Sequence, residues 1–190
     1  KVNMKISDNL KFASSYIQNS EYIHRQAGSA LSPDDVGKVL ARRLSEDSAY
    51  EYFLYVPLSS GPLAPTFITV HGITRKAEEQ VRLFAPFAER YKCVVVAPYF
   101  PKDQFNGYQR LGLEGKGKRA DRILDKIVAE VGALTEANIE KLYMFGYSGG
   151  AQFVNRYAMI YPQRVARIVM AAAGWYTFPD PTRDYPIGIK

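Results

Sequence analysis

The chain has 190 residues, of which 47% are hydrophobic and 23% charged, a balance that excludes a disordered protein and favours one domain with a buried core. It contains one cysteine, Cys93, which excludes an intrachain disulfide and a cysteine-based metal site. No apolar stretch approaches the length that a membrane span needs.

The net charge of +6 and the pI of about 9.3 suit an anionic partner, so nucleic acid has to be weighed. The densest group of positive residues alternates with glycines before a predicted helix and consists of Lys116, Lys118, Arg119 and Arg122. Binding along a phosphate backbone needs a clustered basic stripe, which this group does not form. We therefore predict a solvated basic face and no nucleic-acid partner.

Residues 1–48 predict a helical N-terminal extension without recognisable chemistry. Apolar residues at helical spacing indicate its first helix and are Leu10, Ala13, Tyr16 and Ile17. A second helix is predicted after Ser32, with Pro33 in its first turn, running towards Leu44. The start shows no signal peptide and is not Met, so the compartment stays open. The cytoplasm is favoured over an exported protein whose signal was removed.

Residues 49–190 predict an α/β domain in which buried strands alternate with amphipathic helices. The predicted strands are 50–56, 66–70, 92–97, 141–145 and 167–173, and the predicted helices are 78–90, 119–134 and 151–161. Most of these strands are continuously apolar and are separated by helices. That pattern is typical of a mostly parallel sheet with helices on both faces.

The segment Gly146-Tyr147-Ser148-Gly149-Gly150 matches the motif G-x-S-x-G between a predicted strand and a predicted helix. A sharp turn there holds the serine hydroxyl clear of the sheet, and the helix N-terminus directs N–H groups towards developing negative charge. Gly146 and Gly150 leave room for neighbouring backbone. The alternative is a glycine-rich turn whose serine caps the helix, as in phosphate-binding loops.

The segment His71-Gly72-Ile73 directly follows the predicted strand 66–70. We expect the backbone N–H groups of Ile73 and Gly149 to form an oxyanion hole, with Gly72 letting the backbone bend close to the substrate. For His71 we favour a structural role in this turn over a role in proton transfer. The motif uses the backbone of this segment for catalysis and not the imidazole.

The order of these elements, with His71-Gly72, Ala97-Pro98 and the Ser148 motif in place, resembles the α/β-hydrolase superfamily over about residues 50–175. The chain looks most like small serine esterases related to polyhydroxyalkanoate depolymerases and feruloyl esterases. The resemblance implies a Ser–acid–His triad, an acyl-enzyme on Ser148 and a small-molecule or polymer ester as substrate, with no metal or organic cofactor. A peptidase or thioesterase of the same fold is an alternative.

The sequence departs from this family pattern after the serine. The family places its acid and then its histidine there, yet no histidine follows Ser148 and the late strands are missing. The base and acid could lie downstream in a longer protein, or a second chain could complete the fold. Alternatively, the hydrolase fold serves only for binding, or His24 folds back over Ser148 as an unusual base.

Asp180 is the candidate acid, and its alternative role is that of a turn residue between Pro179 and Pro181. Aromatic residues near the carboxyl ends of the strands are candidates for a substrate pocket, since ligands bind at that edge. These residues are Tyr99, Phe100, Phe105, Tyr108, Trp175 and Tyr176. Lys116, Lys118 and Arg119 would favour a carboxylate- or phosphate-bearing substrate. Packing or solvation is the alternative for each.

Overall fold

The structure, a computed structural model, describes residues 22–115 and 117–190. In this part of the chain the strands are β1 Ile23–His24, β2 Val39–Arg43, β3 Glu51–Tyr55, β4 Pro65–Val70, β5 Val94–Pro98, β6 Asn138–Tyr147 and β7 Val165–Ala171. The α-helices are α1 Ala77–Tyr91, α2 Ala120–Thr135 and α3 Gly149–Ile160. None of the helices in the described ranges is long and apolar enough to cross a membrane.

All of these strands join one sheet in the order β1-β2-β3-β5-β4-β6-β7. The neighbours among β5, β4, β6 and β7 are parallel, whereas β3 runs antiparallel to both β2 and β5. A helix connects each consecutive pair of strands from β4 to β7, as parallel pairing requires. The predicted mostly parallel α/β sheet is therefore confirmed.

The helices cover the two faces of the sheet. On one face α1 packs through Ala77, Val81, Ala85 and Ala88 against residues of β2, β3 and β5. The other face carries the larger apolar cluster, in which α2 and α3 cover β4, β5 and β6. Burial on both faces explains why the central strands are apolar without alternation.

On the face of the sheet that α1 covers, the part formed by β6 and β7 is more open to solvent. Phe145 packs against Phe84 of α1, with ring centroids 5.1 Å apart. Its β7 partner Val169 is 57% exposed, and Tyr143, two residues earlier on the same face, is 39% exposed. β7 is thus an end strand of the described sheet with apolar side chains open to solvent.

The prediction of a second helix from Pro33 towards Leu44 is wrong. Pro33–Asp35 form a single 3₁₀ turn, and Val39–Arg43 form β2. β2 pairs with β1 and β3 and buries Val39, Leu40 and Ala41, so sheet pairing overrides the local capping signal of Ser32. The first predicted helix lies outside the described residues, and the division of the chain at residue 48 stays a prediction.

Candidate active site

The Ser148 turn (residues 146–150) connects β6 to α3 and has an unusual backbone conformation. Ser148 has φ 54° and ψ −115°, a region that residues other than glycine rarely occupy. Its N–H donates to the carbonyl oxygen of Ala171 over 2.8 Å, and its carbonyl accepts from the N–H of Ala151 over 3.0 Å. The surroundings in β7 and α3 therefore hold a strained serine, a feature that concentrates at functional sites.

Glycines on both sides of the serine let α3 approach the sheet closely. A Cβ atom on Gly146 would lie 2.2 Å from the carbonyl oxygen of Gly150. One on Gly150 would lie 2.0 Å from the carbonyl oxygen of Val70. Any side chain at either position would overlap with backbone, so this approach requires glycine.

The His71 turn (residues 71–73), which follows β4, lies against the Ser148 turn. A Cβ atom on Gly72 would lie 3.3 Å from the Cβ atom of Ser148, and one on Gly149 would lie 3.4 Å from Cγ2 of Ile73. The N–H of Gly149 belongs to the first turn of α3, where N–H groups have no acceptor within the helix. The structure thus brings together Ser148, Gly149, Gly72 and Ile73 from two distant parts of the sequence.

The imidazole of His71 is completely buried and contacts backbone groups through both nitrogens. Its Nε2 accepts from the N–H of Phe100 over 3.1 Å, and its Nδ1 lies 2.9 Å from the carbonyl oxygen of Gly72. A backbone N–H can only donate, so Nε2 is unprotonated and Nδ1 carries the proton. Burial lowers the pKa of His71 to about 4, which keeps the ring neutral at pH 7. These contacts favour a role in supporting the turn.

The hydrogen bond from His71 also orients the peptide that joins Gly72 to Ile73. The carbonyl and the N–H of a trans peptide point in opposite directions. Since the Gly72 carbonyl points to the imidazole, the Ile73 N–H points away from it. Within the described ranges no acceptor is found for this N–H.

The structure separates His24 from the serine. His24 lies in β1, five strand spacings from β6 in the sheet order, which corresponds to about 24 Å along the sheet. The hypothesis that His24 folds back over Ser148 is therefore wrong, because pairing of β1 with β2 fixes it near the opposite end of the sheet.

Asp180 is engaged in a local turn. Its carboxylate accepts from the N–H of Thr182 over 2.9 Å and from its hydroxyl over 2.6 Å, and lies 3.2 Å from Arg183. The hydrogen bonds from Thr182 lower the pKa of Asp180. These contacts correspond to the turn role that was the alternative for Asp180, and its role as the catalytic acid stays a prediction.

The aromatic residues predicted to line a pocket fall into two groups. The rings of Phe100 and Phe105, in the loop after β5, are buried against each other, which favours the packing alternative for both residues. The ring of Tyr108 is also buried, although its hydroxyl lies next to Gly149. Trp175 is 46% exposed and Tyr176 is exposed beyond β7, whereas Tyr99 lines a 400 Å³ cleft with Arg75 and Glu78.

The basic residues predicted to favour an anionic substrate make internal contacts. Lys118 donates to Gln104 over 3.0 Å and to the hydroxyl of Tyr50 over 3.1 Å. Arg119 donates twice to the carboxylate of Asp121, over 2.9 and 2.6 Å. These contacts favour the packing alternative for both residues, and Lys116 lies outside the described residues.

A cleft of 350 Å³ opens beside the Ser148 turn, on the side of α1. It is lined by Gly72, Thr74, Lys76, Glu79, Gln80, Leu83 and Tyr147. Lys76 and Glu79 form an ion pair of 2.6 Å within it. Sequence reasoning missed the residues from the start of α1. Because α1 begins only a few residues after the His71 turn, its first residues could have been predicted to lie at the same edge of the sheet.

Comparison with known proteins agrees with this architecture. Residues 65–187 match the family described as alpha/beta hydrolase fold. A poly(3-hydroxybutyrate) depolymerase from Bordetella parapertussis is 24% identical, with a TM-score of 0.68, over 80% of this chain and 57% of the depolymerase. Poly(aspartic acid) hydrolase-1 from Sphingomonas sp. KT-1 is 25% identical, with a TM-score of 0.66, over 74% of this chain and 58% of the hydrolase.

An acetyl xylan esterase from Aspergillus awamori is 20% identical, with a TM-score of 0.54, over 67% of this chain and 50% of the esterase. The chain therefore spans between half and three fifths of the length of these three solved structures. No curated protein matches the chain.

Proposed function

Because the chain belongs to the alpha/beta hydrolase fold family, we propose that it is the nucleophile-bearing part of a serine hydrolase that cleaves carboxylic esters. The observation that carries this proposal is the strained backbone of Ser148, held directly against the His71 turn. A serine that only capped a helix would not need this conformation. The strain presents the hydroxyl group at the carboxyl edge of a parallel sheet, where ligands of α/β proteins bind.

In the proposed reaction the Ser148 oxygen attacks the acyl carbonyl carbon, and the carbonyl electron pair moves to its oxygen. The N–H groups of Ile73 and Gly149 donate to that oxyanion, and the N-terminal end of α3 adds favourable electrostatics. Collapse of this intermediate breaks the ester bond and leaves the acyl group on Ser148. Water then releases the acid by the same sequence of steps.

A histidine must accept the serine proton and return it to the departing alkoxide. We propose that this histidine comes from outside the 190 residues of this sequence, downstream in a longer protein or in a second chain. The sequence contains two histidines, and the structure places His24 on a distant strand and commits both nitrogens of His71 to backbone groups.

The proposed substrate class is a small-molecule or polymer ester. The names of the similar structures support this class, since they include a poly(3-hydroxybutyrate) depolymerase and an acetyl xylan esterase. A second candidate is an amide, because another similar structure is a poly(aspartic acid) hydrolase. Both reactions pass through a tetrahedral oxyanion and would use the same donors.

The test uses the protein in its natural full-length form and compares it with Ser148→Ala. We expect the natural protein to hydrolyse p-nitrophenyl acetate and to be labelled by a fluorophosphonate probe at Ser148. The variant should lose both properties with an unchanged unfolding midpoint. Ser59→Ala, at an exposed loop position, is the matched control and should behave like the natural protein. Equal turnover in Ser148→Ala would reject Ser148 as the nucleophile, and a natural protein with neither turnover nor labelling would replace this proposal with a non-catalytic binding role.

A further inference from the structure

One hydroxyl group contacts both segments of the proposed oxyanion hole. Tyr108 lies in the single 3₁₀ turn 108–110 between β5 and α2, and its ring is buried. Its hydroxyl donates to the carbonyl oxygen of His71 over 2.9 Å. The same oxygen would lie 2.6 Å from a Cβ atom on Gly149, so it rests directly against the backbone of that residue. The reaction described above gives Tyr108 no task.

The ring of Tyr108 is held from several directions. The Arg75 guanidinium lies 5.0 Å from the ring centroid and donates to the carbonyl oxygen of Phe100. The rings of Phe100 and His71 lie 5.6 and 5.0 Å from that of Tyr108. Contacts of this kind restrict rotation of a buried aromatic side chain. The position of the hydroxyl is therefore set in part by Phe100 and Arg75, which lie outside the two turns that it touches.

From this geometry we propose that Tyr108 is a positioning residue that fixes the spacing between the N–H groups of Ile73 and Gly149. The inference rests on the proposed hydrolase function. The two donors belong to different segments, one after β4 and one at the start of α3, and an oxyanion hole works only if both are aligned before charge develops. The Tyr108 hydroxyl limits movement of the first segment by its hydrogen bond and of the second by direct contact.

The Tyr108 hydroxyl keeps its proton at neutral pH and can therefore donate, because burial raises the pKa of Tyr108 above its usual value. Replacement by phenylalanine keeps the ring and removes only this donor. The carbonyl oxygen of His71 would then lose its partner in a buried position, and the His71 turn would be free to shift. Tyr108 touches no reacting atom in the proposed mechanism. We therefore expect its replacement to act by changing the alignment of the Ile73 and Gly149 N–H groups.

The experiment compares Tyr108→Phe with Tyr157→Phe in the full-length protein. Tyr157 is a matched control, since it is also buried and its hydroxyl donates to Asp125 over 2.7 Å. It lies nine residues after Ser148, about 14 Å along α3. Rates of p-nitrophenyl acetate hydrolysis are normalised to the amount of enzyme labelled by a fluorophosphonate, which removes differences in folded fraction.

We expect Tyr108→Phe to lower kcat by about 10- to 100-fold, the scale of a misplaced catalytic group, with KM within about twofold. Affinity for a trifluoromethyl ketone, which forms a tetrahedral adduct, should fall by the same factor as kcat/KM. Tyr157→Phe should lose stability and keep kcat. A purely structural Tyr108 would change the unfolding midpoint and leave the normalised kcat unchanged.

The outcomes separate the two proposals. Absence of Ser148-dependent turnover in the natural protein would overturn the hydrolase function itself. Normal turnover there, with an unchanged kcat in Tyr108→Phe or an equal loss in Tyr157→Phe, would overturn only the role of Tyr108. Should Tyr108→Phe fail to fold, Arg75→Lys loosens the support of the ring and keeps the hydroxyl. That variant should lower kcat several-fold, and an unchanged kcat would reject the inference.

Discussion

Gly150, at the start of α3, lies against Val70, at the end of β4, so closely that a Cβ atom on the glycine would be 2.0 Å from the valine carbonyl oxygen. Neither backbone can yield easily, since Val70 belongs to a central strand paired with β6 and Gly150 to a helix. We predict that Gly150→Ala lowers the free energy of unfolding by about 3 kcal/mol or more, the upper end of what overpacking costs. Urea unfolding measures this.

The matched control for that change is Gly61→Ala. Gly61 lies in the loop before β4, and a Cβ atom there would have no neighbour within 4 Å. We expect its unfolding midpoint to stay within experimental error or to rise slightly, because alanine restricts the unfolded chain. Equal losses in the two variants would contradict the packing argument.

Gly72→Ala tests the contact between the His71 turn and the serine. The new Cβ atom would lie 3.3 Å from that of Ser148, so one of the two turns must move by a few tenths of an ångström. We expect a stability loss below about 1 kcal/mol and a fall in kcat of about tenfold, because small displacements of catalytic groups slow reactions strongly. Ester hydrolysis and urea unfolding on the same preparations measure both. A normal kcat would show that the turn does not need this spacing.

His71 should make stability depend on pH. Its pKa is lowered from 6.5 to about 4 in the folded protein, so the unfolded chain binds more protons between these values. The contribution of neutral His71 to the free energy of unfolding is fully present above about pH 6.5 and is lost as the pH falls towards 4. We predict a decrease of about 3 kcal/mol in the free energy of unfolding over this interval from this group. Urea unfolding at several pH values measures it.

The control for this pH dependence comes from replacing each histidine in turn. His71→Asn removes the titrating group, so its stability difference from the natural protein should shrink as the pH is lowered. His24→Gln, at an exposed residue of β1, is the comparison for the replacement of a histidine as such. An identical slope in His71→Asn and the natural protein would contradict the assignment.

Asp180→Asn separates the two roles considered for this residue. The carboxylate serves a turn through Thr182 and Arg183, so we expect kcat within about twofold and a small decrease in stability. Loss of a catalytic acid would instead lower kcat by about 10⁴-fold. A loss of that size in ester hydrolysis would assign Asp180 to the triad.

The sequence alone predicted the elements whose signal is local. The helix predicted over 78–90 is observed as Ala77–Tyr91, and that predicted over 119–134 as Ala120–Thr135. Apolar residues recurring with helical period carry this information within a few turns of chain. β2 was missed because its strand state comes from pairing with β3, while the nearby Ser32-Pro33 signal indicated a helix start.

The sequence by itself determined that Ser148 would sit in a sharp turn between a strand and a helix, because glycines and a buried strand surround it. Only the tertiary structure decided what lies around that serine. The approach of Gly72, the burial and tautomer of His71 and the place of Tyr108 arise from packing between segments far apart in the chain. Such contacts depend on how sheet and loops fit together, and no local pattern of residues encodes that fit.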